Sequence, residues 1–282
     1  MHSLHVRFLF GFALTACGAV VIQNPDRSGS SANVPPANQT GGGTMMMSTA
    51  AGGGSGVNPE PGTGAGMVPS TPTGKCGVLL ATVRDFKRGD QPGGHPDFQT
   101  YVGRQRANVG LVQDTLDGQK KPVFKSRGTW INLTSADAFN QWYRDVPDVN
   151  MPFQLELPLT QSGASFVYDN SQFFPLDGQG FGNQGLQRNY HFTTEIHSTI
   201  LYKGGEVFTF RGDDDVWIFV DNRLALDLGG LHSRLEGTIT FDQLGLVKGQ
   251  KYAFDIFHAE RMTNSSNFRV ETNIDCFEPV IN

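Results

Sequence analysis

Three consecutive carboxylates, Asp213, Asp214 and Asp215, stand between two apolar runs in the stretch GDDDVW. Two like charges about 4 Å apart repel by roughly 4 kcal/mol at the effective dielectric near a protein surface. Something must offset that repulsion. Carboxylates clustered in a turn at a strand end put several hard oxygens within reach of one point, which is what Ca2+ requires, since it takes six to eight oxygen ligands. A bound calcium ion would convert the mutual repulsion into attraction. The same spacing also suits a solvated acidic turn whose alternate side chains point apart, and spacing alone leaves both readings open.

Other candidate chemistry is sparser. In HFTTEIH, read as a strand, His191, Thr193, Glu195 and His197 share one face. Two histidines and a glutamate on one face could ligate a transition metal; the more economical reading is a hydrogen-bonded polar face. GFGNQG (Gly180 to Gly185) satisfies GxGxxG, but a dinucleotide site needs a strand before it and an amphipathic helix after it. Pro175 and Asp177 precede this run and a β-rich stretch follows, so it reads as a glycine-rich loop. No GxSxG elbow and no GxxxxGK[ST] loop occurs. An enzyme is therefore not the expectation.

The elements that must hold the acidic turn are β-strands. EVFTF, VWIFV, RLALDL, GTITF, KYAFDIF and FRVETNI are short, rich in β-branched and aromatic residues, and separated by Gly, Asp or Asn turns. This pattern predicts an all-β, antiparallel β-sandwich. In VWIFV, Val216, Ile218 and Val220 share one face and Trp217 and Phe219 the other, so the strand should be central and covered on both sides. One short helix is expected in TSADAFNQWYRD, with Thr134 or Ser135 as N-cap and with Phe139, Trp142 and Tyr143 at core-facing spacing. Long loops at 87–99 and 173–189 complete the domain.

Before the strands, the chain changes character. Residues 1–17 have one firm positive charge, Arg7, a short apolar run and then small residues before Cys17, the layout of a secretory signal. Leu14-Thr15-Ala16-Cys17 resembles a bacterial lipobox, which implies lipidation of Cys17 and a lipoprotein at the outer membrane or cell surface. Residues 18–74 are Gly, Ser, Thr, Pro, Asn and Ala with few residues able to form a core, which predicts a disordered tether. A coil of that length spans about 40 Å. The folded domain is expected over 75–282. Cys76 and Cys276 lie at its two edges and should pair in an oxidising compartment. A net charge of −5 with no basic stripe argues against nucleic acid as a partner, and the only membrane contact expected is through the lipid anchor.

Taken in order, VRDF, HPDFQ, FFPLDGQGFG, HFTTEIHS, FTFRGDDDVWIFVDNRLALDLGGLH and GLVKGQKYAFDIFHAERMTNSSNFRVET resemble the fibro-slime domain of bacterial surface proteins and slime-mould secreted proteins. That family is similar to the protective-antigen-type sandwich also found in yeast flocculin adhesins and some glycosidases. In the flocculins, two consecutive aspartates joined by a cis peptide hold Ca2+, and the ion binds vicinal sugar hydroxyls. The resemblance implies that Asp213-Asp214 or Asp214-Asp215 fills this role, with Asn264 or Asn267 as a further ligand from a second loop. Glu260 and Arg261 could form a structural ion pair beneath that loop. The expected function is a surface-anchored, calcium-dependent module that binds carbohydrate in adhesion or an extracellular matrix. The alternatives are a self-associating matrix protein without sugar binding, and a carbohydrate-active enzyme or its accessory domain.

Overall fold

Alternating apolar residues fold the chain into antiparallel strands that form two main sheets and a separate two-stranded ribbon. The computed structural model describes residues 76–101, 106–263 and 265–280. The expected signal peptide (1–17), Cys17, the tether (18–74) and Asn264 lie outside the described residues. In chain order the strands are β1 (Val78–Phe86), β2 (Arg106–Ala107), β3 (Asn150–Pro158), β4 (Thr160–Ser162), β5 (Ser165–Asn170), β6 (Phe192–Leu201) and β7 (Val207–Gly212). They continue as β8 (Asp215–Val220), β9 (Arg223–Leu228), β10 (Gly230–Leu231), β11 (Leu235–Thr240), β12 (Lys251–Glu260), β13 (Phe268–Thr272) and β14 (Glu278–Pro279). A single turn of helix, α1 (Ala136–Phe139), lies between β2 and β3.

The larger sheet runs β3-β1-β6-β12-β8-β9, with β14 also pairing with β6; the smaller runs β11-β7-β13-β5-β4. Every strand pair is antiparallel. Between the sheets lies one apolar core, to which the large sheet contributes Val83, Ile196, Ile218 and Phe254 and the small sheet Phe208, Phe210, Phe268 and Val270. Fully burying each such side chain contributes about 1.5–3 kcal/mol.

The large sheet is covered on its outer face too. Val216, Ile218 and Val220 belong to the inter-sheet core, while Trp217 and Phe219 join a second cluster with Phe86, Phe98, Phe139, Trp142, Tyr143 and Phe257. The period of two along β8 thus separates two cores, as VWIFV implied. Ser135 caps α1, its hydroxyl accepting from the Ala138 N–H at 3.1 Å. The helix stops sooner than the sequence suggests because Asn150 Nδ2 binds the carbonyls of Gln141 and Arg144, at 3.0 and 2.8 Å, where helical amides would otherwise donate.

Cys76 and Cys276 form the expected disulfide, with Cα atoms 4.4 Å apart across a sequence separation of 200. In the chain-entropy description, closing so long a loop contributes up to about 5 kcal/mol. The bridge ties the first described residue to the end of the last strands.

Candidate functional site

The acidic turn is the bend between β7, which ends at Gly212, and β8, which begins at Asp215. A Cβ on Gly212 would lie 2.5 Å from the Asn267 carbonyl oxygen and 2.7 Å from the Phe210 ring. Only glycine lets the segment before β13 close down on the turn here. Asp214 takes a left-handed backbone (φ 52°), a conformation that Asp tolerates better than most residues. No cis peptide bond occurs among the described residues.

The turn is not a solvated one. Asp213, Asp214 and Asp215 are 3%, 5% and 0% exposed. Each carboxylate has a different environment. Asp213 accepts from Ser265 Oγ at 2.6 Å, from the Asn267 N–H at 2.5 Å and from Asn267 Nδ2 at 2.7 Å. Asp214 Oδ2 accepts from the Arg261 N–H at 2.9 Å. Asp215 has both oxygens engaged, one by Arg261 Nε at 2.7 Å and the other by the Gly230 N–H at 2.6 Å. The guanidinium of Arg261 also donates to the Asn132 carbonyl at 2.7 Å and stacks on Trp142 at 4.8 Å. Asp215 and Arg261 are therefore a buried structural pair.

Glu260 is the fourth carboxyl of the cluster. The pairing of Glu260 with Arg261 considered from sequence does not form. Neighbours at the end of an extended strand project to opposite sides, and Arg261 is taken by Asp215. Glu260 is 1% exposed, and its Oε2 is buried without a hydrogen-bond partner among the described residues. Burial, reinforced by the charges of Asp214 and Asp213, pushes its carboxyl well above the usual range. Burial likewise pushes Asp214 up to about 8, against the pull of Arg261. Burial pushes the nearby His258 imidazole down to about 3, so it supplies no compensating positive charge. Among the described residues, these four buried carboxyls thus share one guanidinium, that of Arg261. The excess must be met by protons or by a cation.

Asp213, Asp214 and Glu260 provide carboxylate oxygens whose lone pairs are not exhausted by the bonds described, and Glu260 Oε2 has no hydrogen-bond partner among the described residues. Among the described residues, no three His, Cys, Asp or Glu side chains converge as a ready-made metal cage. Of the asparagines expected from the second loop, Asn267 meets the turn through its backbone and side-chain amides. Sequence reasoning missed Glu260 as a member of the cluster. Its only signal was an uncompensated acid at the end of a strongly apolar strand.

The other motifs resolve as structure. Glu195 and His197 do share a face of β6, where His197 donates to Glu195 at 2.6 Å and to Asp255 at 2.7 Å. Arg84 binds Glu195 at 2.6 Å and Asp145 at 2.8 Å, and Lys121 closes on the other oxygen of Glu195. His191 lies apart, bonded to Gln99. The glycine-rich run folds over Asp85, whose carboxylate accepts from the Phe181 N–H and from Asn189 Nδ2. Close to the acidic turn, Arg261 fixes the Asn132 carbonyl, and two residues earlier Trp130 is 45% exposed with the Arg106 guanidinium 4.4 Å from its ring.

The family model described as PA14 domain matches residues 183–275, which include the whole acidic turn and its second loop. Among curated proteins, the chain is 40% identical to protein psiQ of Dictyostelium discoideum over 182 residues, covering 59% of this chain and 18% of psiQ. It is 37% identical to protein psiC of the same organism over 219 residues, covering 71% of this chain and 42% of psiC. The chain thus spans less than half the length of either relative. A solved structure titled as a PA14 sugar-binding domain from an RTX adhesin aligns with 73% of this chain and 96% of its own, at 9% identity and a TM-score of 0.34.

Proposed function

We propose that the domain is a calcium-dependent carbohydrate-binding module, exported and held at a cell surface through a lipidated Cys17 and the 18–74 tether, and that it belongs with the fibro-slime domains it resembles. The observation that carries the reading is the buried carboxyl excess: Asp213, Asp214 and Glu260 lie together, Glu260 Oε2 lacks a partner among the described residues, and the one guanidinium present is committed to Asp215. The PA14 match over this region supports it.

Asp213 and Asp214 would hold the ion, with Glu260 behind them and the Asn264–Asn267 loop as the source of an amide oxygen. Calcium, when bound, supplies open coordination positions that vicinal hydroxyls of a sugar can fill. The chain's own contribution is to prearrange the site. Arg261 fixes the bend through its N–H to Asp214 and its guanidinium to Asp215, and the Ser265–Asn267 segment holds Asp213 in one orientation. Asn267 Nδ2 faces Asp213, and turning that amide over would present its oxygen to a cation. Trp130, exposed beside the segment that Arg261 fixes, offers a flat apolar surface for a sugar ring.

The test is calorimetry of calcium binding with the wild type and with Asp213→Asn/Asp214→Asn, followed by a glycan array with and without chelator. The double variant should lose calcium binding while keeping its disulfide and far-ultraviolet spectrum. Unchanged calcium affinity in the variant removes the assigned site, and an array without calcium-dependent hits leaves self-association as the better account.

A further inference from the structure

The outer face of the small sheet carries a row of charges in register. Glu236 on β11 stands opposite Arg211 on β7, Arg211 opposite Arg269 on β13, and Arg269 opposite Asp169 on β5. Two guanidinium groups are therefore direct cross-strand neighbours, an arrangement that destabilises a sheet unless something lies between or around them. Arg269 is neutralised on both sides, by Asp169 at 2.5 Å and Glu271 at 2.7 Å. Arg211 forms no ion pair with the described residues, and neither does Arg234, which is exposed at the start of β11.

Arg211 and Arg234 line a groove of about 290 Å3, close to the lower end of small-molecule sites. Arg269 lines it as well, and the one carboxylate in its wall, Asp169, already belongs to Arg269. Asn267 also lines it, the same residue whose amides hold Asp213. The groove and the acidic turn are thus two sides of one residue. In a protein of net charge −5, two guanidinium groups that form no ion pair with the described residues at the rim of the acidic site are out of keeping with their surroundings, even with Glu236 across the strand from Arg211. Guanidinium is planar and donates in pairs, which matches the paired oxygens of a carboxylate or a sulfate.

We propose that this groove is a subsite for the anionic substituent, carboxylate or sulfate, of an acidic glycan whose hydroxyls are held at the neighbouring turn. The proposal rests on the carbohydrate-binding reading above. It predicts a preference among sugars: the uronate or sulfate ester of an oligosaccharide should bind more tightly than its neutral counterpart, and added salt should erode the difference because part of the gain is screened charge.

The experiment compares three oligosaccharides of the same length by calorimetry in calcium: galacto-oligosaccharide, oligogalacturonate and sulfated galacto-oligosaccharide. The expected result is about a tenfold tighter binding of at least one anionic form by the wild type, with the two anionic arms telling carboxylate from sulfate. Arg211→Ala/Arg234→Ala, at two positions outside the core, should abolish that preference while leaving neutral-sugar affinity unchanged and Tm no lower than that of the wild type. Equal affinity of the wild type for neutral and anionic forms overturns the subsite and leaves the carbohydrate reading standing. A preference that survives the double substitution also overturns it. Failure of all three sugars to bind in calcium overturns the carbohydrate reading, and this subsite with it.

Discussion

Two buried polar clusters in this fold have similar composition and opposite charge accounts. On the outer face of the large sheet, Arg84, Lys121 and His197 meet Glu195, Asp255 and Asp145, so three cationic groups face three anionic ones once His197 is protonated. At the β7–β8 bend, Asp213, Asp214, Asp215 and Glu260 face Arg261 alone among the described residues. The first cluster satisfies itself. Burial pushes Glu195 up, yet the His197 hydrogen bond and the charges of Arg84 and Lys121 outweigh it and hold the carboxyl down to about 2. In the second, burial wins at Asp214 and Glu260, whose carboxyls rise. Both sites were candidates for metal binding from residue type, and only the charge ledger separates them: a balanced cluster is a complete structural network, whereas an unbalanced one is completed by a proton or a ligand.

The largest effect should come from the one cation of the unbalanced cluster. Replacing Arg261 with Leu leaves the buried Asp215 carboxylate without its cation while keeping the main-chain N–H that Asp214 accepts from, and should destabilise the domain by about 3–5 kcal/mol. Urea unfolding with chelator present measures it, and a loss below about 1 kcal/mol would overturn the reading of Asp215–Arg261 as a structural pair.

Next comes the pH dependence of the excess. Without calcium, Asp214 titrates near 8 in the folded chain, against 3.8 for an ordinary carboxyl. The folded state then retains a proton that the unfolded state has released, so this contribution is full below about pH 4 and is lost as pH rises toward 8, at no more than about 1.4 kcal/mol per unit. Asp214→Asn removes the charge without changing shape and should flatten the fall. Saturating calcium should flatten it as well, by taking the proton's place. A wild-type profile that is level from pH 5 to 8 in chelator would contradict the account of the cluster.

The comparison also explains what sequence could and could not reveal. Strands β7, β8, β9, β11, β12 and β13 were legible because alternation is strong where one or both faces are buried, and the two-sided covering of β8 was visible in VWIFV itself. Strand β1, VLLATVRDF, was passed over because Arg84 and Asp85 break its apolar pattern; both are buried polar residues with partners far along the chain, Glu195 and Asn189. The acidic turn announced itself as a local cluster, and Asn267 was reachable through the second loop. Glu260 and the Asp215–Arg261 pair were not, because they depend on where β12 ends relative to β8, a matter of sheet register. The Arg211–Arg269 opposition is of the same kind. Local spacing shows which groups are chemically able; only strand pairing decides which of them are left unbalanced.

The balanced cluster should respond to pH in a different window. Burial pushes the His197 imidazole down, but hydrogen bonds to Asp255 and Glu195 outweigh that and raise it above 6.5. Its contribution is therefore full below 6.5 and is lost as pH climbs through the raised folded value. His197→Gln should cost about 1.5–3 kcal/mol at pH 6, the size of hydrogen bonds to charged groups, and less at alkaline pH. Calcium should leave that difference untouched, which separates it from the Asp214 effect. If calcium narrowed the gap between wild type and His197→Gln, the two clusters would not be independent.

Lys121 should give the smallest effect and the sharpest check on the idea of balance. Its side chain is 13% exposed, and its partner Glu195 keeps Arg84 and His197 when the ammonium is removed. Lys121→Met keeps the aliphatic stem that packs over the sheet while deleting one of three cations. If the network's stability lies in having each charge met, two remaining cations still neutralise Glu195 and Asp255, and the loss should stay within about 1 kcal/mol. Asp145, 62% exposed, keeps its bond to Arg84 Nε at 2.8 Å, and water solvates what charge is left unmatched there. A loss of about 3 kcal/mol or more in urea unfolding at pH 7 would mean that the cluster tolerates no missing charge. Being short of a cation would then be as damaging on the large sheet as at the β7–β8 bend, and an excess of carboxylates could no longer be taken as the mark of a site awaiting its ligand.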